Sequence, residues 1–159
     1  MSVFLKLDDV EGESTHKDHE GEIDVLSWAL GLSSSGTTHL GGGGAGTGKV
    51  RFNPFSITKK LDRASPVLML DAASGRRIPT ATLTGRKAGE GQKDFLVVTM
   101  KEVLITACDV QGTGDDDDVQ ERLDLSFARI SVVYSRQQPD GSMVAASEFA
   151  WDVARNGPI

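Results

Sequence analysis

"LGGGGAGTGKV", residues 40–50, runs directly into Arg51-Phe52-Asn53-Pro54, and how this junction is read decides the fold. From Gly43 the stretch has the spacing G-x-x-x-x-G-K of a phosphate-binding loop. Such a loop lies between a strand and a helix, because the helix N-terminus supplies the N–H donors and the positive end of the dipole. Here Val50, Arg51 and Phe52 follow Lys49, and Pro54 comes soon after, which is strand character. The hydroxyl residue that would hold Mg²⁺ is replaced by Val50. Seven of the 18 glycines fall between Gly36 and Gly48, so the spacing arises easily by chance. The segment therefore reads as a pliable glycine loop ahead of a β-strand, and a parallel nucleotide-binding sheet is not expected.

Outward from this loop the pattern is β but for one short helix. Val3, Leu5 and Leu7 alternate on one face of a first strand, and the polar run EGESTHKDHEGE, residues 11–22, reads as a solvated loop. A strand from Ile23 to Leu30 places Leu26, Trp28 and Leu30 inward, and Ser27 and Ala29 outward. Lys49 to Lys59 is a strand broken or edged at Pro54. Ser65 as cap, Pro66 at the first helical position and Gly75 past the end predict one short helix over about residues 65–74. Strands follow over residues 78–86, 95–107, 122–135 and 147–153. In the third of these, apolar parity switches between Phe127 and Ala128, which demands a bulge or a passage between sheets. The sum is seven or eight strands and one helix in a single domain, a sandwich or small barrel. Leu26, Trp28, Val98, Phe127, Phe149 and Trp151 are expected in its core.

Composition narrows the function. The net charge of −6 disfavours nucleic acid and anionic membranes as general partners. The single Cys108 allows no internal disulfide, and its place at a strand end suggests an idle thiol. The N-terminus has no signal-peptide pattern, and no stretch approaches ~18 apolar residues, so cytoplasmic synthesis without membrane insertion is expected. His16, Asp18, His19 and Glu20 are metal-ligand types, but they lie in a polar loop. Asp115 to Asp118 lack the spacing of an EF-hand loop. Neither a metal nor a cofactor is expected, and no Ser/His/Asp set has a catalytic context.

The order of the segments carries more than any one of them. EIDVLSWALGLSSSGTTHLGGGGAGTGKV is followed by FSITKKLDRASPVLML, ASGRRIPTATLTGRKAG, FLVVTMKEVLITA and ERLDLSFARISVVY. From about Phe4 to Val153 this series resembles the Hcp (haemolysin-coregulated protein) family, the tube protein of type VI secretion systems. The resemblance implies a compact β-barrel of two sheets with one short helix, and no enzymatic activity. It also implies homohexameric rings that stack inside a contractile sheath behind a spike, carry or chaperone effectors, and leave the cell without a cleaved signal peptide. With the chain ending at Ile159, a single Hcp-like domain over residues 1–159 with no C-terminal effector extension is expected. Under this reading Ser27 and Ala29 are candidates for the lumen or cargo contact. Gly41, Gly42, Gly43, Gly44, Gly46, Gly48 and Lys49 are candidates for ring-to-ring contact. The alternative is a monomeric β-barrel that binds a small ligand or calcium through the acidic loop.

Overall fold

The structure is a computed structural model that describes residues 1–34, 49–89 and 91–159. Its first six strands are β1 (Ser2–Leu7), β2 (Ile23–Asp24), β3 (Ser27–Ala29), β4 (Leu32–Ser34), β5 (Val50–Phe52) and β6 (Phe55–Lys60). The helix α1 (Ser65–Ser74) separates them from β7 (Ile78–Arg86), β8 (Asp94–Gln111), β9 (Gln120–Ser126), β10 (Arg129–Gln137), β11 (Met143–Asp152) and β12 (Gly157–Pro158). Among the described residues the protein is mainly β with one short helix, as expected. The count of strands is higher than expected because the strands predicted over residues 23–30, 49–59 and 122–135 are each divided, and because β4 and β12 were not predicted.

One sheet runs in the order β12-β11-β10-β8-β7-β1-β2. The other runs β3-β6-β9 and joins the first through β8. β4 and β5 form a separate two-stranded ribbon. The first sheet is open from β12 to β2, so the expected barrel is not closed by hydrogen bonds within it. The core lies between the two sheets and includes Val3, Leu5, Leu7, Ile23, Phe55, Ile57, Ile78, Leu83, Val98, Met100, Leu123, Leu125 and Ile130.

The chain passes between sheets where parity fails. β8 buries Val98 and Met100 before Glu102 and Val103 and Ile105 after it. Glu102 has φ of 55°, and this left-handed residue turns the strand from one sheet into the other. The second passage lies at residues 127–128, between β9 and β10, where the sequence demanded it.

A third passage was not expected. β2 belongs to the first sheet and β3 to the second, so the strand read from Ile23 to Leu30 is broken at Val25-Leu26. Ile23 and Val25 point into the core, parity resets, and Leu26 is 52% exposed. The placement of Leu26 in the core is thus corrected. Phe149 is 36% exposed, Val98 is buried, and Trp28, Phe127 and Trp151 are partly buried against the core.

The helix ends at Gly75, whose φ of 66° suits a residue without a Cβ, and whose N–H donates to the Asp71 carbonyl. Its start differs from the expectation. Ser65 is the first helical residue rather than the cap. Asp62 accepts from the Ala64 N–H at 2.9 Å, and the Ser65 hydroxyl accepts from the Asp62 N–H at 3.0 Å. Ser65 is buried because Lys59 and Glu121 lie against it. Leu68 anchors the helix in the core.

Residues 11–22 are not a solvated loop. The Gly12 N–H donates to Gly21 O at 2.7 Å, Gly21 N–H to Ser14 O at 2.8 Å, and Ser14 N–H to Glu22 O at 2.9 Å. A Cβ at Gly12 would strike the Glu22 carbonyl. The loop is thus closed on itself, and it buries Ser14 and His19.

Candidate assembly surfaces

Trp28 sets the orientation of β3. It lies opposite Ile57 on β6 and stacks on buried Phe55, with ring centroids 5.8 Å apart and planes 8° apart. Alternation then turns Ser27 and Ala29 outward, and both are exposed. They lie opposite Thr58 and Ser56. Ser56 and Thr58 in turn lie opposite Asp124 and Arg122 on β9. The outer face of this sheet is therefore small and polar. The Ser56 hydroxyl donates to Asp124 at 2.6 Å, and Arg122 reaches the same carboxylate at 3.4 Å. At the strand end, Lys60 pairs with Asp118 at 2.8 Å, so the acidic run at 115–118 has one cationic partner on β6. That pairing raises the Lys60 ammonium above its usual value, through the hydrogen bond first and the charge second.

β11 is a different kind of surface. It pairs with β10 along its length, but β12 covers only Trp151 and Asp152 on the other edge. Every residue from Val144 to Phe149 is exposed, so this half of the strand is bare on both faces. Sequence reasoning expected a strand over residues 147–153 with Phe149 and Trp151 in the core. In the monomer, Phe149 instead extends a partly exposed aromatic row with Phe52 at 6.5 Å and Trp151 at 6.4 Å. A third surface is the outer side of α1, where Val67, Met69 and Leu70 are exposed, Leu70 by 66%. The helix signal was legible, but its apolar outer side was not singled out.

Of the glycine-loop candidates, Gly41, Gly42, Gly43, Gly44, Gly46 and Gly48 lie outside the described residues. Lys49 is exposed and leads straight into β5. The Val50 N–H at the start of β5 donates to Asn156 at 3.1 Å. A strand follows the Gly-Lys pair, which is the opposite of what a phosphate loop requires.

Residues 4–134 match the family described as type VI secretion system effector, Hcp. The chain belongs to the Hcp family. Hcp1 of Pseudomonas aeruginosa is 42% identical over 158 residues, which cover 98% of this chain and 97% of that one. Among solved structures, Hcp1 of Salmonella typhimurium superposes with a TM-score of 0.80 at 31% identity, covering 99% of this chain and 98% of that one. A structure of a type six secretion system protein superposes with a TM-score of 0.89 at 28% identity, covering 98% of each chain. The chain is thus an Hcp-type tube protein of a type VI secretion system, and the family resemblance read from segment order is borne out. In this Hcp chain, what the fold offers is surface: a small polar sheet face, a strand bare on both sides and an apolar helix flank.

Proposed function

We propose that six copies of this chain close into a ring, that rings stack into a tube within a contractile sheath behind a spike, and that the lumen carries effectors. The observation that supports this most directly is β11. Residues Val144 to Phe149 are exposed on both faces and unpaired along one edge among the described residues. An uncovered edge with apolar content is an aggregation hazard unless another chain covers it. A closed ring does so with two different patches meeting head to tail.

Ser27 and Ala29 are the lumen candidates under this reading. A small polar wall leaves room for cargo and presents no adhesive apolar patch. The glycine-loop residues with Lys49 are the candidates for contact between rings. The role is one of assembly and transport without catalysis. Assembly would take place in the cytoplasm, with export through the secretion machine itself.

Native mass spectrometry tests the reading. The expected species has about six times the 17.0 kDa chain mass, with a central hole in negative-stain images. A 17.0 kDa monomer at micromolar concentration, with the β11 amides that point away from β10 unprotected from exchange, would overturn the ring and favour a monomeric ligand-binding barrel.

A further inference from the structure

His19 is one of the few polar residues buried in the protein, and both of its ring nitrogens face carboxylates. Nδ1 lies 2.9 Å from Glu22 Oε2, and Nε2 lies 3.3 Å from Asp94 Oδ1. Glu22 belongs to the loop that carries His19, whereas Asp94 opens β8. The ring also stacks on Phe4 of β1 with centroids 4.3 Å apart and planes 8° apart. A second tie lies beside it, where His16 Nε2 meets Gln92 Oε1 at 2.8 Å.

Counting donors decides the state of this residue. An ionised carboxylate only accepts, and a neutral imidazole has one donor and one acceptor. A neutral His19 can therefore satisfy one of the two carboxylates and must turn a lone pair toward the other. Only the imidazolium donates to both. Asp94 is ionised in the folded protein: burial pushes its carboxyl up, but hydrogen bonds from Arg86 and His19 more than offset this and hold it below the usual range.

We infer that residues 14–22 are a strap latched across β1 and the start of β8 by a doubly donating His19, and that the latch opens when the ring loses its proton. The latched state holds one more proton than the open one, so rising pH favours opening. The other charged groups around the site are Arg86, Asp18, Asp94 and Glu22, with Lys17 and Lys93 next to them in sequence. Arg86 bonds Asp94 and Asp18 at 2.6 Å each and remains cationic. The hydrogen bond from Arg86 holds the Asp18 carboxyl below the usual carboxylate range. His16 is the other histidine beside the site, with its ring centroid 5.9 Å from that of His19. Because Glu22 directly precedes β2, opening the strap also loosens one outer edge of the first sheet. The inference is independent of the ring reading.

Hydrogen exchange of peptides spanning residues 11–25 tests it, in whatever assembly the protein adopts. Rates are divided by those of an unstructured peptide of the same sequence, which removes the intrinsic pH effect. Strap protection is expected to fall at least about tenfold between about pH 5.5 and about pH 9, the scale of one hydrogen bond to a charged group. Glu22→Gln is the informative variant, because its amide can donate to a neutral ring nitrogen while the other nitrogen still donates to Asp94. It should keep the strap protected and flatten the pH profile. His19→Gln should be loose at every pH. Spectra of ¹⁵N-histidine protein should show protons on both His19 nitrogens in the latched state. Native protection that does not change with pH, an undiminished slope in Glu22→Gln, or a bare His19 nitrogen in the latched state would overturn the inference.

Discussion

Lys59→Met should be among the most damaging single changes available in this protein. The Lys59 side chain is 0% exposed, and its ammonium lies 2.7 Å from Glu121, 2.8 Å from Asp62, 2.9 Å from the Ser65 hydroxyl and 2.9 Å from the Lys60 carbonyl. Glu121 is also 0% exposed, and its other donors are Ser65 at 2.6 Å and the Cys108 thiol at 3.3 Å. Methionine fills the space of the lysine stem but leaves the Glu121 carboxyl in the core without its counter-charge. Breaking one partner out of a buried pair costs about 3–5 kcal/mol. A native domain holds only about 5–15 kcal/mol in all, so the variant loses a large share of its stability. Glu121→Leu should cost a comparable amount, because Lys59 then keeps only Asp62 as a counter-charge. The double variant Lys59→Met/Glu121→Leu removes both charges and should recover most of the loss, with a coupling of roughly 3 kcal/mol. Urea unfolding measures this through midpoint shifts at unchanged slope. Protein concentration must be held fixed, since assembly adds apparent stability. A Lys59→Met loss below about 1 kcal/mol, or a double variant equal to the sum of the singles, would refute the reasoning.

Burial first, and then the neighbouring Glu121 carboxylate, push the Cys108 thiol up to about 11. Alkylation at neutral pH should therefore be far slower than for a free thiol, and Glu121→Gln should speed it. Equal rates in the native protein and a small thiol would contradict this. Ala29→Arg should leave the fold and the ring mass intact and reduce effector retention in co-purification. Dissociation into monomers would move Ala29 from the lumen to the subunit interface. Asp94 is held below the usual carboxylate range, so its contribution is full above the unfolded value of about 3.9 and is lost as pH falls through its lower folded value. Asp94→Asn should therefore flatten the acid limb of a urea-midpoint profile, and an unchanged limb would remove Asp94 as its cause.

What the sequence disclosed follows from what a period of two can report. Alternation marks a face, and it gave the face of β3 correctly because Trp28 is too large to point anywhere but toward Phe55. The break at residues 127–128 was legible because the switch occurs within one apolar run. The break at Val25-Leu26 was not, since Ile23, Val25, Leu26, Trp28 and Leu30 can be threaded onto one continuous strand in more than one way. Lys59 closed a run read simply as strand, and lysine is rarely buried without a partner. Its partner Glu121 is 62 positions away in sequence, so no local pattern announces the pair. His19 was hidden for the same reason: a run such as EGESTHKDHEGE looks solvated, and only its proximity to Asp94 shows otherwise. β11 was legible only in part: Trp151 packs against the core, but the residues from Val144 to Phe149 do not face this chain's own core.

The bend at Glu102 bears on how such a subunit carries load. β8 continues from the first sheet into the second as one covalent chain, hydrogen-bonded to β7 and β10 before the bend and to β9 after it. A force applied along one sheet therefore reaches the other through peptide bonds and not across a seam of hydrogen bonds. For the sheets to part, β8 must be stripped from β9 on one side, or from β7 and β10 together on the other. Those ladders run antiparallel to β8, so a pull along its axis shears many hydrogen bonds at once where a pull across it would open them one at a time.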